Sequence, residues 1–282
     1  MAKFTGVLLA SDYDNTIVNT GAVMRGEIEE ARPGGATLEA LRYFTAHGGR
    51  FAVATGRALS AFASHAGELP MNAPAVLYNG AALYDFATGE YLETNYLNAA
   101  AMARAQEALD RWSALGAEAY NDALAIPAVQ PNEITRRHQH LTHTGVEEFR
   151  SLRDIPGPVG KLLLEGDRAT LEQARVYLVS QPWSGEYEII FSGQNLLEMP
   201  ARGSDKGSMV RRLAARLGIS MEHVYCVGDE TNDISMLTAA REGFAPANCV
   251  EAVRQCGATI VSDVCHDALA DVIAILDKRY SE

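Results

Sequence analysis

Short apolar runs that stop abruptly at polar or glycine-containing turns recur along the chain. They are residues 6–10 (GVLLA), 51–54 (FAVA), 75–78 (AVLY), 224–227 (VYCV) and 259–261 (TIV). Runs this short that are apolar on both faces suit strands of a buried parallel sheet. Between them the apolar residues recur at helical spacing. Residues 37–47 place Leu38, Leu41 and Phe44 on one face. Residues 206–217 turn Met209, Val210, Leu213 and Leu217 inward and Arg211, Arg212 and Arg216 outward, and Gly218 then supplies a stop. Strands alternating with helices predict an α/β fold, a doubly wound parallel sheet whose ligands bind beyond the carboxyl ends of its strands.

The middle of the chain has another rhythm. Residues 83–97 alternate in a hairpin-like way around Thr88-Gly89, and a helical pattern carrying Leu109 and Trp112 follows from Ala99 to about Leu115. A strand-like stretch near 117–126 precedes a polar stretch at 130–145, then a strand at 159–165, a helix at 168–180 and a strand at 186–192. This is an α+β pattern set inside an α/β one. The predicted organisation is a core of residues 1–82 and 191–282 with an inserted α+β domain of residues 83–190. There is no internal repeat and no low-complexity segment.

Composition narrows the possible partners. The 282 residues are 48% hydrophobic and 21% charged, enough apolar material for a real core. The net charge of -12 argues against sequence-independent nucleic-acid binding, which needs a basic face. It does not exclude an anionic substrate, because one lysine and a divalent cation can reverse the field inside a pocket. Cys226, Cys249, Cys256 and Cys265 form no CxxC pair, so neither a zinc ribbon nor a disulfide framework is expected, and Cys226 reads as a small buried hydrophobe. There is no signal-peptide pattern and no apolar stretch of about 18 residues, so a cytoplasmic protein that does not engage a membrane is expected. Oligomeric state is not legible.

Four strand ends carry polar residues that bear on chemistry. After the first strand come Asp12-Tyr13-Asp14-Asn15-Thr16, two carboxylates at one mouth of the sheet. Like charges this close are costly unless they share a cation or a proton, although a turn capped by aspartate explains the residues equally well. After the second come Thr55-Gly56-Arg57, where a hydroxyl beside free helix N–H groups suits an oxyanion or, more simply, an N-cap. Lys206 opens a helix whose dipole disfavours a cation there, so removing it is expected to leave stability level or raise it slightly. Gly228-Asp229-Glu230-Thr231-Asn232-Asp233 gathers three carboxylates and an amide, an oxygen-rich set that suits Mg2+ or the N-terminus of a helix.

Taken together and in this order, the segments DYDNT, ATGR, Lys206 and GDETND resemble the haloacid-dehalogenase-like hydrolase superfamily. The likeness to its Cof-type subfamily covers nearly the whole chain. Tyr78-Asn79-Gly80 stands before the insertion, Leu196-Leu197-Glu198-Met199-Pro200 and Asp205-Lys206-Gly207 after it, and Ala247-Asn248 near the end. The insertion falls where that subfamily carries a type IIB cap. Asn15 stands where the family usually has Gly and Glu230 where it has a small residue or Asp, and Val264-Cys265-His266-Asp267 departs from the usual Gly-Val.

The resemblance implies a Mg2+-dependent phosphatase for small-molecule phosphate monoesters, with sugar and other metabolite phosphates foremost. Asp12 would be the nucleophile and Asp14 the acid and base. Asp12, the Asp14 carbonyl and Asp229 would hold Mg2+, with Asp233 acting through water. Thr55, Gly56, Lys206 and Asn232 would bind the phosphoryl oxygens. A phosphotransferase or phosphosugar mutase would use the same residues, and a regulatory protein on a dead scaffold would not need them all intact. His138, His140 and His143 sit in polar surroundings and read as part of a solvated loop rather than a metal cluster.

Overall fold

The protein is described from a computed structural model, which covers residues 2–121, 123, 125–142 and 145–280. It divides into two compact units. The first holds Met1–Gly56, Ser64–Leu92 and Asp205–Glu282, and the second holds Arg57–Ala63 and Glu93–Ser204.

The chain begins with β1 (Leu8–Ser11), α1 (Thr20–Met24), α2 (Gly35–Ala46), β2 (Arg50–Val53), α3 (Leu59–Ala66), β3 (Ala75–Leu77), β4 (Ala82–Asp85) and β5 (Glu90–Thr94). The insertion supplies α4 (Ala101–Arg111), β6 (Gly116–Tyr120), β7 (Ala125–Val129), α5 (Glu133–Thr142), β8 (Gly145–Phe149), β9 (Lys161–Glu165), α6 (Arg168–Ser180), β10 (Ile190–Gly193) and β11 (Leu196–Pro200). The chain ends with α7 (Lys206–Arg216), β12 (Val224–Val227), α8 (Ile234–Ala239), β13 (Glu242–Pro246), α9 (Glu251–Arg254), β14 (Thr259–Val261) and α10 (Ala268–Arg279).

In the first unit five parallel strands stand in the order β14-β13-β12-β1-β2. The apolar runs predicted this sheet because β1, β2 and β12 are buried between helices. Leu8, Ala10, Ala52 and Cys226 pack with Met209, Val210 and Leu213, three of the four residues that the sequence turned inward, and the fourth, Leu217, is partly buried against the same core. Gly218 ends that helix region at φ 67°, a conformation glycine adopts without penalty. Two details differ from expectation. The run at 75–78 meets β2's extension only through a single parallel bridge, Ala54 to Val76, and instead starts an antiparallel β3-β4-β5 sheet. Strand β13 was not anticipated, because Gly243 interrupts its apolar run; a Cβ there would strike the backbone of Leu237 in α8.

In the second unit six strands stand in the order β10-β11-β9-β6-β7-β8. One face of this sheet buries Ala117, Ala119, Leu162, Leu164, Leu197 and Met199 against Leu109 of α4 and Leu171 and Leu178 of α6. The expected domain bounds fall elsewhere. The hairpin at 82–92 packs with the first unit through β3, and residues 193–204 stay with the second because β11 pairs with β9. The polar stretch at 130–145 contains a helix, α5, rather than a loop. Among the described residues no helix is long and apolar enough to cross a membrane.

Candidate active site

Strand β1 lies inside its sheet, between β12 and β2, so the residues beyond its end meet the ends of both neighbours. Asp12 follows directly. Its backbone N–H continues the ladder to Val227 O at 2.8 Å, and its carboxylate is 6% exposed. Lys206, at the first position of α7, is buried with its Nζ 2.6 Å from Asp12 Oδ1 and 2.6 Å from Asp233 Oδ1. Asp205 caps that helix by accepting from Ser208 N, which fixes where the lysine leaves the backbone. The helix dipole opposes the lysine, but two carboxylates answer it.

The β12 end supplies the rest. Asp233 Oδ2 accepts the N–H groups of Asp229 at 2.9 Å and Glu230 at 3.0 Å, closing the turn back on itself. Gly228 must be glycine here, since a Cβ would lie 2.5 Å from the Asp233 side chain. Asp229 Oδ1 accepts from Thr16 Oγ1 at 3.0 Å. Glu230 is turned onto its own backbone, accepting from Thr231 N at 2.8 Å as the cap of the short helical turn at 231–233.

Asp14 is half-buried on the loop after β1, where residues 14 and 18 form a bridge. Asn15 takes φ 54°, the left-handed conformation for which asparagine is the best substitute for glycine. Its Oδ1 accepts from Gly21 N at 2.6 Å, so it holds the loop as well as tolerating the turn. Thr55 is fully buried, its N–H bonded to Val76 O and its carbonyl to Asn79 N. Gly56 lies against Asn79, whose Oδ1 would be 2.9 Å from a Cβ placed there. Asn79 Oδ1 in turn accepts from Asn232 Nδ2 at 2.9 Å. Asn232 Oδ1 is buried with no hydrogen-bond partner.

The electrostatics follow from burial. Desolvation pushes the Asp12 carboxyl from its ordinary 3.8 up to about 7, against the pull of Lys206, and Asp233 and Asp14 add to the rise. Burial likewise raises Asp229 well above its ordinary value, with Asp12 and Asp233 contributing. Burial disfavours the charge on Lys206, but the two aspartates beside it hold its pKa above the ordinary 10.5. The ligand atoms of Asp12, Asp229 and Asp233 all lie within 4.8 Å of one another. Three buried carboxylates against one ammonium leave a deficit of positive charge. A divalent cation that prefers oxygen fits this donor set.

Sequence reasoning gave Thr16 and Asn79 no role. Thr16 holds Asp229, and Asn79 joins the Thr55-Gly56 turn to Asn232. The available signals were a threonine closing DYDNT and an asparagine before Gly80, where the structure finds φ 57° at Asn79. The histidine reading needs correction. His138 and His140 lie on α5, and His138 is set between two buried carboxylates rather than in a solvated loop. His143 lies outside the described residues.

A parallel α/β sheet in which an inner strand ends in a buried aspartate beside a buried lysine, interrupted by an α+β insertion, places carboxylate chemistry at a sheet end. The chain belongs to the haloacid dehalogenase-like hydrolase family, whose profile matches residues 9–273. Pyridoxal phosphate phosphatase YbhA of Escherichia coli (strain K12) is 26% identical over 245 residues, covering 84% of this chain and 89% of that protein. A haloacid dehalogenase-like hydrolase from Bacteroides thetaiotaomicron superposes with a TM-score of 0.80 at 25% identity, covering 96% of this chain and 99% of that one. The subclass IIB sugar phosphatase BT4131 shares the fold with a TM-score of 0.78 at 20% identity, over 95% and 98% of the two chains. Family and relatives together mark the chain as a phosphoric monoester hydrolase.

Proposed function

We propose that the chain is a Mg2+-dependent phosphatase of small-molecule phosphate monoesters, acting through a phosphoryl group carried on Asp12. The observation that supports this most is the Asp12 carboxylate, buried at the end of β1 and 2.6 Å from Lys206 Nζ. Asp12, Asp229 and the backbone carbonyl of Asp14 would hold Mg2+. Both oxygens of Asp233 are already engaged, one by Lys206 and one by two backbone N–H groups, so its part in metal binding passes through water. Bound there, the cation would supply charge neutralisation and Lewis-acid polarisation of the phosphoryl group.

The chain's own residues do the rest. An Asp12 oxygen attacks phosphorus, the ester P–O bond breaks, and Asp14 gives a proton to the departing alkoxide. Asp14 then takes a proton from water, which attacks the same phosphorus and frees Asp12 with release of inorganic phosphate. Lys206, the Thr55 hydroxyl, the Gly56 N–H and the Asn232 amide would hold the phosphoryl oxygens, since phosphoryl transfer needs positioning and charge neutralisation above all. The inserted unit would act as a cap that selects substrate. The pyridoxal phosphate phosphatase and sugar phosphatase among the relatives support metabolite phosphates as the substrate class.

The test is release of inorganic phosphate from a panel of sugar and other metabolite phosphates, with Mg2+ and with EDTA, and without added acceptor. The expected result is release with Mg2+, lost in EDTA and restored by re-adding the cation. Transfer of the phosphoryl group to an added sugar, with no inorganic phosphate released, would make the chain a phosphotransferase. Undiminished turnover in EDTA would contradict the proposal.

A further inference from the structure

The second unit carries a buried charged cluster that the proposed chemistry does not use. On β6 and β9, Glu118, Tyr120, Lys161 and Glu165 share the sheet face opposite the apolar core, as the register pairs Gly116 with Glu165 and Tyr120 with Lys161. Lys161 is taken up by Glu198 of β11, 2.8 Å away. Glu118 and Glu165 remain, both with side chains 0% exposed, facing His138 of α5.

His138 Nδ1 lies 3.0 Å from Glu118 Oε2 and 3.2 Å from Glu165 Oε1, and Tyr120 Oη donates to Glu118 Oε2 at 2.9 Å. One ring N–H serves only one of these acceptors. Glu118 Oε1 and both oxygens of Glu165 are buried with no hydrogen-bond partner. An unpaired buried carboxylate oxygen is costly, and three in one cluster call for a shared counter-charge. A protonated His138 would supply one positive charge to two carboxylates, and its Nδ1–H, shared between Glu118 Oε2 and Glu165 Oε1, would not reach Glu118 Oε1 or Glu165 Oε2.

We propose that Glu118, His138 and Glu165 form a second metal site, separate from the aspartate cluster, for a divalent first-row transition metal such as Zn2+. Their ligand atoms all lie within 4.8 Å of one another. Zinc holds nitrogen and oxygen at about 2.0–2.2 Å, which in a tetrahedral shell separates neighbouring ligands by roughly 3.3–3.6 Å, so His138 Nδ1, at 3.0 and 3.2 Å from its two carboxylates, needs to move by only a few tenths of an ångström. The imidazole favours Zn2+ over Mg2+. The metal replaces the proton on Nδ1, which leaves to solvent on the side where His138 is 19% exposed. The charge then closes, two carboxylates against one dication. Tyr120 orients Glu118 from behind, the outer-shell support such ligands need. The site ties α5 to β6 and β9.

The test counts zinc on the intact protein after equilibrium dialysis against Zn2+ in excess Mg2+. Asp229→Asn weakens the aspartate cluster and should keep one zinc per chain, whereas Asp229→Asn/Glu165→Gln should lose it. Zinc should also raise the melting temperature of Asp229→Asn but much less that of Asp229→Asn/His138→Gln, a comparison that stands if the Glu165 variant does not fold. Equal zinc content with and without Glu165→Gln, or no zinc on Asp229→Asn, would overturn the site and leave His138 as a simple imidazolium ion pair.

Discussion

Lys206 reverses an expectation drawn from local physics. The helix dipole alone predicts that its removal is harmless, yet it is the sole cation touching Asp12 and Asp233 among the described contacts. Removing one partner of a buried pair strands the others, at a cost of about 3–5 kcal/mol. Lys206→Ala should therefore melt earlier than wild type in EDTA, and Mg2+ should recover part of the loss. Its kcat/KM should fall about 10²–10³-fold, and Lys206→Arg should not restore it, because a planar fork does not replace a compact ammonium. Asp12 makes a pH prediction. Its folded pKa of about 7 lies above the ordinary 3.8, so its contribution to stability is present below 3.8 and is lost as pH rises through about 7. In EDTA, the stability of wild type relative to Asp12→Asn should fall across that window. A flat difference between pH 4 and 8 in urea melts would show that Asp12 is not desolvated. For Asp14, single-turnover phosphorylation should suffer by about 10²–10⁴-fold with a sugar phosphate and much less with an activated aryl phosphate, which needs no proton on its leaving group.

Helix α7 was legible in the sequence because its buried residues beyond Lys206 are uncharged and mostly apolar and its end is marked by Gly218, whereas α5 was not, because Thr135 and Gln139, the buried residues among those described on it, are polar. Apolar periodicity cannot reveal a helix whose buried side is polar and faces charged groups on a sheet. Strands β1, β2 and β12 were readable as apolar runs between turns, and the four chemical motifs were readable because each follows such a run or opens a helix. What stayed hidden depends on contacts between distant segments: the Thr16 bond to Asp229, the link from Asn79 to Asn232, and the pairing of β11 with β9 that moved the domain boundary. Close packing at the start of α7 is testable. A Cβ on Gly207 would collide with the backbone carbonyl of Ser235 in α8, whereas one on Gly35 in α2 would meet nothing within 4 Å. Gly207→Ala should lower stability by about 1–3 kcal/mol and disturb Lys206 beside it. Gly35→Ala should be neutral or stabilising by about 0.4–1 kcal/mol. Denaturant midpoints for the two variants make the comparison.

The first unit is built from both ends of the chain, and this is what assembles the site: β1 pairs with β12 in register from Leu8 with Val224 to Ser11 with Val227, which sets Asp12 beside the turn that carries Asp229. Both segments of the second unit, Arg57–Ala63 and Glu93–Ser204, fall in sequence between β1 and β12, and the β1–β12 pairing spans them. The net charge of -12 gives the molecule no general attraction for a phosphate ester, so affinity must come from the local balance of Lys206 and the cation. Mg2+ should accordingly raise the melting temperature of wild type and much less that of Asp229→Asn, since a ligand bound only by the folded state stabilises it. The most direct measurement compares wild type with Asp12→Asn, purified alike and shown to be folded by circular dichroism, hydrolysing one activated phosphate ester in saturating Mg2+. The account predicts a fall in kcat of about 10⁴-fold or more, the order seen when a hydrolase loses its nucleophile. Turnover by folded Asp12→Asn within tenfold of wild type would contradict it.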